Sequence, residues 1–179
     1  MLFSGNVILG VTGSISAYKS ATIARLLVKQ KCNVKVVLTT GGAQFITPLS
    51  LSTVSKNPVL TEFADSSTGE WHNHVELGEW ADLLLVAPMS ANTLGKFANG
   101  LADNILHAIY LSSKKKVLLC PAMDHDMWHH PAVVRNIKTV KSDGALLMEP
   151  ESGELASGII GDGRLPEPEN IVQFINNNI

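Results

Sequence analysis

The chain has 179 residues, 45% of them hydrophobic, and a formal net charge of −2. That length suits one domain with a single core, and the apolar runs are broken by Gly, Pro and charges well short of the roughly 18 residues a membrane span needs. Lys and Arg are scattered and cluster only at Lys114 to Lys116, which gives none of the basic stripe expected of a nucleic-acid binder. Cys32 and Cys120 are too few and too widely separated for a disulfide or metal framework, so reduced thiols are expected. The N-terminal segment has no basic stretch or small-residue cleavage site of a secretory signal, so the expected location is cytoplasmic.

Short runs rich in Val, Ile and Leu alternate with longer segments of helical periodicity. Val7 to Val11 reads as the first strand. Ala17 to Gln30 follows with apolar residues at Ala21, Ala24, Leu27 and Val28, and Val34 to Leu38 is the next strand. These make one βαβ unit with a right-handed crossover. Further along come a helix over Pro48 to Ser55, a loop over Ala64 to Asn73 and a helix over His74 to Trp80. The strand Leu83 to Ala87 leads to helices over Ala91 to Ala98 and Asp103 to Leu111, then to the strand Val117 to Cys120. A helix over Pro131 to Lys141, a strand over Ala145 to Met148 and a last helix over Glu167 to Asn176 complete the pattern. Continuous apolar strands suit a parallel sheet buried on both faces. The expected fold is therefore α/β: a single doubly wound domain over residues 1–179 with a mainly parallel sheet, Rossmann-like or flavodoxin-like. Glu149 to Pro168 has no clear periodicity, and a loop of that length is commonly a lid or disordered.

Ligands of open α/β sheets gather beyond the carboxyl ends of the strands, so the residues following each strand are the candidates for chemistry. After the first strand, Gly10-Val11-Thr12-Gly13-Ser14-Ile15-Ser16-Ala17-Tyr18-Lys19 offers close backbone approach, hydroxyls and a helix start for a phosphate; an ordinary capped turn has the same composition. Thr39 to Phe45 supplies hydroxyls and an aromatic ring, either for a ring system or for a plain turn with a core Phe. Pro88-Met89-Ser90-Ala91-Asn92-Thr93, with Lys96, Asn99, Gly100, Asp103 and Asn104 behind it, is a dense polar set at a helix start suited to the polar edge of a heterocycle. Pro121 to Pro131 packs Asp124, Met127, Trp128 and several histidines together. Adjacent His129 and His130 lack the i, i+4 spacing of a helical zinc pair, so no metal site is expected.

Taken in order, Gly13 to Lys19, Phe45-Ile46-Thr47-Pro48-Leu49, Asn73-His74-Val75-Glu76-Leu77, Pro88 to Thr93, and Pro121-Ala122-Met123-Asp124 through Met127-Trp128 resemble the homo-oligomeric flavin-containing cysteine decarboxylases, most of all their phosphopantothenoylcysteine branch. The resemblance runs from Gly10 to about Pro168. It implies FMN as cofactor, with Gly13, Ser14, Ser16 and Thr39 at its phosphate or ribityl groups, Phe45 flanking the flavin, and Ser90, Ala91, Asn92 and Thr93 in contact with it. It implies three catalytic residues: His74 as base or proton relay, Asp124, which also binds substrate with Met127, and Ser157 in a substrate lid over residues 149–168. It also implies assembly as a homotrimer or homododecamer with sites between subunits.

The implied reaction is decarboxylation of 4'-phosphopantothenoylcysteine to 4'-phosphopantetheine in coenzyme A biosynthesis. Loss of CO2 from a cysteine carboxylate needs an electron sink, and two-electron oxidation of the CH2-SH group to a thioaldehyde creates one. Decarboxylation then yields an enethiol, and the two electrons return to reduce it. Two positions depart from the family's pattern: Asp124 stands where Asn usually contacts the substrate carboxylate, and Ser157 where the flap often carries a Cys that assists the final reduction. A serine hydroxyl is a far weaker acid than a thiol of pKa about 8.5. The competing readings are a peptidyl-cysteine decarboxylase that stops at the enethiol, a flavin prenyl transferase and a non-catalytic regulatory flavoprotein. Whether a synthetase domain follows Ile179 is open.

Overall fold

The structure, a computed structural model, describes residues 2–179. Its strands β1 (Asn6–Val11), β2 (Asn33–Leu38), β3 (Val59–Leu60), β4 (Leu83–Met89), β5 (Lys116–Pro121) and β6 (Leu146–Leu147) form one sheet in the order β3-β2-β1-β4-β5-β6. Every neighbouring pair is parallel. The helices are α1 (Lys19–Lys29), α2 (Pro48–Ser55), α3 (His74–Trp80), α4 (Ala91–Ala98), α5 (Ile105–Ser112), α6 (His125–His129), α7 (Pro131–Ser142) and α8 (Pro168–Asn178).

Alternation along the strands divides the core into two layers. Val7, Leu9 and Val11 of β1, with Leu83 and Leu85 of β4, pack on Ile23 and Leu27 of α1, Leu51 of α2 and Ile171 and Ile175 of α8. Ile8, Leu84 and Val86 point the other way, onto Leu77 of α3, Leu94 and Phe97 of α4, Leu106 and Ile109 of α5 and Val133 and Val140 of α7. With helices on both faces, the central strands are apolar throughout, as a doubly covered parallel sheet requires. The doubly wound α/β domain expected from the sequence is the observed fold.

Three elements differ from the sequence reading. β3 and α6 are absent from it: a two-residue edge strand and a five-residue helix are too short to show a period. The third is the segment read as irregular. Residues Glu151–Glu154 (β7) and Ile160–Arg164 (β8) pair antiparallel as a hairpin. Its strands read Glu-Ser-Gly-Glu and Ile-Gly-Asp-Gly-Arg, residue types depleted in strands, so neither propensity nor alternation announces them. The hairpin is docked instead through backbone: Met123 N–H donates to Gly163 O at 3.0 Å. Gly163 has φ of +140°, and a Cβ there would lie 2.1 Å from Met123 O, so no other residue allows this approach. Among the described residues no helix is long and apolar enough to cross a membrane.

Leu85 is wholly buried in the middle of β4. Leu85→Ala should lower unfolding free energy by about 2–5 kcal/mol, measured by urea denaturation at matched protein concentration.

Candidate functional site at the carboxyl edge of the sheet

β1 and β4 are neighbours, yet the chain leaves them in opposite directions, toward α1 on one face and α4 on the other. A crevice opens at such a reversal. Buried Thr12 ties its two sides together: its N–H and its hydroxyl both donate to Pro88 O, at 3.3 and 2.9 Å, and its Oγ1 accepts the Ser90 N–H at 2.8 Å. Ser90 then caps α4, its Oγ accepting the Thr93 N–H at 3.3 Å. Ser14 does the same for the 3-10 turn Ile15–Tyr18, accepting the Ser16 N–H at 3.3 Å. After β2, the Thr39 hydroxyl donates to Val11 O at 3.2 Å and accepts the Gly42 N–H at 3.2 Å, folding the Thr39–Phe45 turn back onto the end of β1.

These turns enclose a cleft with two lobes. One, of about 600 Å³, is lined by Gly13, Thr39, Phe45, Ser90, Ala91, Asn92, Thr93 and Met127, among others. The second, of about 320 Å³, shares Gly13, Phe45, Ser90, Ala91 and Met127 and adds Ser14, Ser16, Asp124, Leu155, Ala156 and Arg164. All nine positions read as cofactor contacts therefore face one cleft, and the two read as substrate contacts, Asp124 and Met127, face its second lobe. The size suits a small-molecule ligand. The donor set fits the polar parts of a flavin nucleotide: hydroxyls on two turns, the Asn92 amide, a helix start, and Phe45 as an aromatic wall.

Two expected residues lie elsewhere. Ser157 sits in the hairpin turn and does not line the cleft, although its neighbours Leu155 and Ala156 do. His74 is the first residue of α3, after the cap Asn73, and lies outside the cleft lining. Its ring stands edge-on to Phe63 and Trp71, with centroids 6.1 and 6.4 Å away, and its Nδ1 is buried without a hydrogen-bond partner.

Other residues at the cleft were not assigned roles from the sequence. Lys96 and Asp103 line the larger lobe and form an ion pair, and Asp103 also bonds His107 Nδ1 at 2.7 Å. The Lys96 hydrogen bond, aided by His107, holds the Asp103 carboxyl below its ordinary pKa. Burial pushes the His107 pKa down, and the Asp103 bond opposes that only in part. Lys96 and Asp103 stood out as a polar set, but only the return of α5 beside α4 shows that they meet. In the smaller lobe, Asp124 takes the cap position of α6 without a side-chain capping bond, and Arg164 brings a cation to the same lobe. Arg164 donates to Glu167 at 2.6 Å; buried Lys19 donates to Glu167 at 3.0 Å and to Leu165 O at 3.0 Å. Those two cations, Lys19 first, hold the Glu167 carboxyl below its ordinary pKa. Asp124 and Arg164 thus line the same lobe, with the Arg164 guanidinium engaged by Glu167.

A doubly wound sheet with hydroxyl-rich turns around a cleft at its switch point defines a nucleotide-binding α/β protein. The flavoprotein family model matches residues 2–179. The chain is 42% identical over 174 residues to the coenzyme A biosynthesis bifunctional protein CoaBC of Bacillus subtilis (strain 168), covering 97% of this chain and 43% of the relative. It is 56% identical over 130 residues to a cysteine/cysteine sulfinic acid decarboxylase from an unknown prokaryotic organism, covering 73% of this chain and 36% of that one. The chain thus spans less than half the length of these curated relatives. Among solved structures, a Cys-to-Ser mutant of PPC decarboxylase complexed with pantothenoylaminoethenethiol superposes with a TM-score of 0.85 at 32% identity, covering 97% of each chain. The FMN binding protein AtHal3 gives 0.82 at 31% identity, over 97% of this chain and 95% of that one. The chain belongs to the flavoprotein family, among its flavin-containing decarboxylases.

The His107 environment sets a pH dependence. Its folded pKa lies below its unfolded value, so unfolding takes up a proton. Its contribution to stability is complete above the unfolded value of about 6.5 and is lost as pH falls through the lower folded pKa. Between pH 7.5 and pH 5, the urea midpoint should fall further for the native chain than for His107→Leu.

Proposed function

We propose that this chain catalyses the FMN-dependent decarboxylation of 4'-phosphopantothenoylcysteine to 4'-phosphopantetheine in coenzyme A biosynthesis, in the cytoplasm. The observation that carries this reading is the convergence of all nine cofactor positions on one cleft whose second lobe is walled by Asp124, Met127 and the hairpin. The similarity to the coenzyme A biosynthesis protein CoaBC over 97% of the chain supports that pathway, and the likeness to PPC decarboxylase supports the substrate class.

In this reading Gly13, Ser14, Ser16 and Thr39 bind the phosphate and ribityl groups of FMN, and Phe45 with Ser90 to Thr93 holds its ring. Bound FMN supplies the two-electron oxidation of the substrate thiol to a thioaldehyde. The Asp124 and Met127 wall positions the substrate, and Arg164 lines the same lobe. Residues 149–168 act as the lid, excluding water from the reactive enethiol left after CO2 departs.

His74 takes up and returns a proton at the thiol, as an imidazole suits. Because His74 is off the cleft of its own chain, the reading requires a second copy to bring it there, in a homotrimer or a homododecamer built from trimers. Half-exposed apolar side chains at both places support such contacts: Phe45 at the cleft and Val75 beside His74.

Ser157 favours one alternative: a cysteine decarboxylase, acting on a peptide's C-terminal cysteine, that releases the enethiol without reducing it and so consumes an external two-electron acceptor such as O2 in each turnover. A hydroxyl is poorly suited to delivering the proton that a thiol in that turn provides.

Mass analysis of purified protein incubated with 4'-phosphopantothenoylcysteine separates these outcomes. Phosphopantetheine supports full turnover, a product two hydrogens lighter supports arrest at the enethiol, and intact substrate overturns decarboxylation. His74→Asn should abolish CO2 release while leaving the bound yellow cofactor in place. Mixing His74→Asn chains with chains mutated in the cleft should restore part of the activity if each site takes its histidine from a second copy; unmixed behaviour rules that arrangement out.

A further inference from the structure

We propose that His125, His129 and Asp162 form a site for one divalent transition-metal ion of the zinc class, which fastens the β7–β8 hairpin to α6. The two histidines are four residues apart on α6, so one turn of helix sets them on the same face. Their rings lie 4.4 Å apart, inclined at 63°. Asp162 comes from β8 on the opposite side, with its Oδ2 at 3.2 Å from His129 Nε2. One ligand atom from each of the three residues lies within 4.8 Å of the other two.

Ligand atoms bound tetrahedrally at about 2.0–2.2 Å are separated by about 3.3–3.6 Å. The His129–Asp162 pair already has that separation, and the widest pair needs to close by little more than about 1 Å at the tetrahedral distance. Both His129 and Asp162 are half-exposed, with side-chain exposures of 52% and 45%, so their side chains have room to turn and water has access to a fourth position. Two imidazoles and one carboxylate suit zinc, nickel or copper, whereas magnesium and calcium prefer all-oxygen sets.

One existing interaction competes. The Asp162 N–H donates to His125 Nδ1 at 3.1 Å, so that nitrogen is the one holding a lone pair toward β8. An ion at that nitrogen displaces the amide hydrogen, so the β8 backbone must shift where Gly161 packs against the His125 ring. Without an ion, the same residues make an ordinary imidazole–carboxylate pair, which is the arrangement the test must distinguish. None of the three ligands lines the flavin cleft, but Met127 between the histidines does. An ion at this place therefore holds the hairpin against an element of the cleft wall, and its binding can be read without substrate.

Untagged, flavin-loaded protein titrated with ZnCl2 in a calorimeter should bind one equivalent per chain, and MgCl2 should give no heat of binding. Cobalt(II) at the same site should develop the intense visible absorption of a tetrahedral centre. His129→Ala and Asp162→Asn, both at half-exposed positions, should each weaken Zn2+ binding at least tenfold while leaving the circular dichroism unchanged. Zinc should also slow proteolytic cleavage in the Leu155–Ile159 turn of the native chain alone. Failure of the native chain to bind Zn2+, or equal binding by both variants, overturns the site. Decarboxylation with no zinc binding would remove this proposal and leave the flavin reading intact; zinc binding with no decarboxylation would do the reverse.

Discussion

Much of this structure depends on how the end of β1 is joined to the start of α4. The wholly buried Thr12 hydroxyl donates to Pro88 O and accepts the Ser90 N–H, bridging adjacent strands from which the chain departs to opposite faces. Strand pairing fixes β1 beside β4 up to Gly10 and Val86, and the Thr12 bridge extends that link past the strand ends to the crevice rim. With it, Ser90 is held as the cap of α4, and the Gly13–Tyr18 turn starts from a fixed point. Thr39 adds the third wall by bonding back to Val11 O. The hydroxyls that define the cleft are therefore already engaged in capping and turn-closing bonds. This holds the cleft in shape and lowers the ordering cost of binding a ligand there.

A second constraint holds the hairpin. It buries little apolar surface, so its position rests on polar links: Met123 N–H to Gly163 O, Asp162 N–H to His125, and the chain Lys19–Glu167–Arg164. Lys19 is buried and leaves α1 to reach Leu165 O and Glu167, joining the first helix to the hairpin's exit. Segments held by few, partly solvated bonds open more readily than cores.

Charge is distributed unevenly around the two lobes. The larger carries the Lys96–Asp103–His107 cluster, closed upon itself by ion pair and hydrogen bond. The smaller carries Asp124, without a side-chain bond in the cap, and Arg164. His74 has a buried Nδ1 without a partner, an arrangement that costs free energy in an isolated chain.

The amino-acid sequence alone determined the β1, β2, β4, β5 and β6 strands and every helix except the short α6, because continuous apolar runs and 3.6-residue periods are local properties. It also carried the cleft turns, since Gly13 to Ser16, Thr39 to Phe45 and Ser90 to Thr93 each follow a strand directly. Tertiary structure alone decided what meets across distance. The polar strands of the hairpin pair through backbone, leaving no side-chain pattern to read. The i, i+4 spacing of His125 and His129 puts them on one face only because that short stretch is helical, and Asp162 reaches His129 from 33 residues away. Likewise the placement of His74 away from its own cleft follows from the packing of α3 beside α5, a long-range contact that no local period encodes.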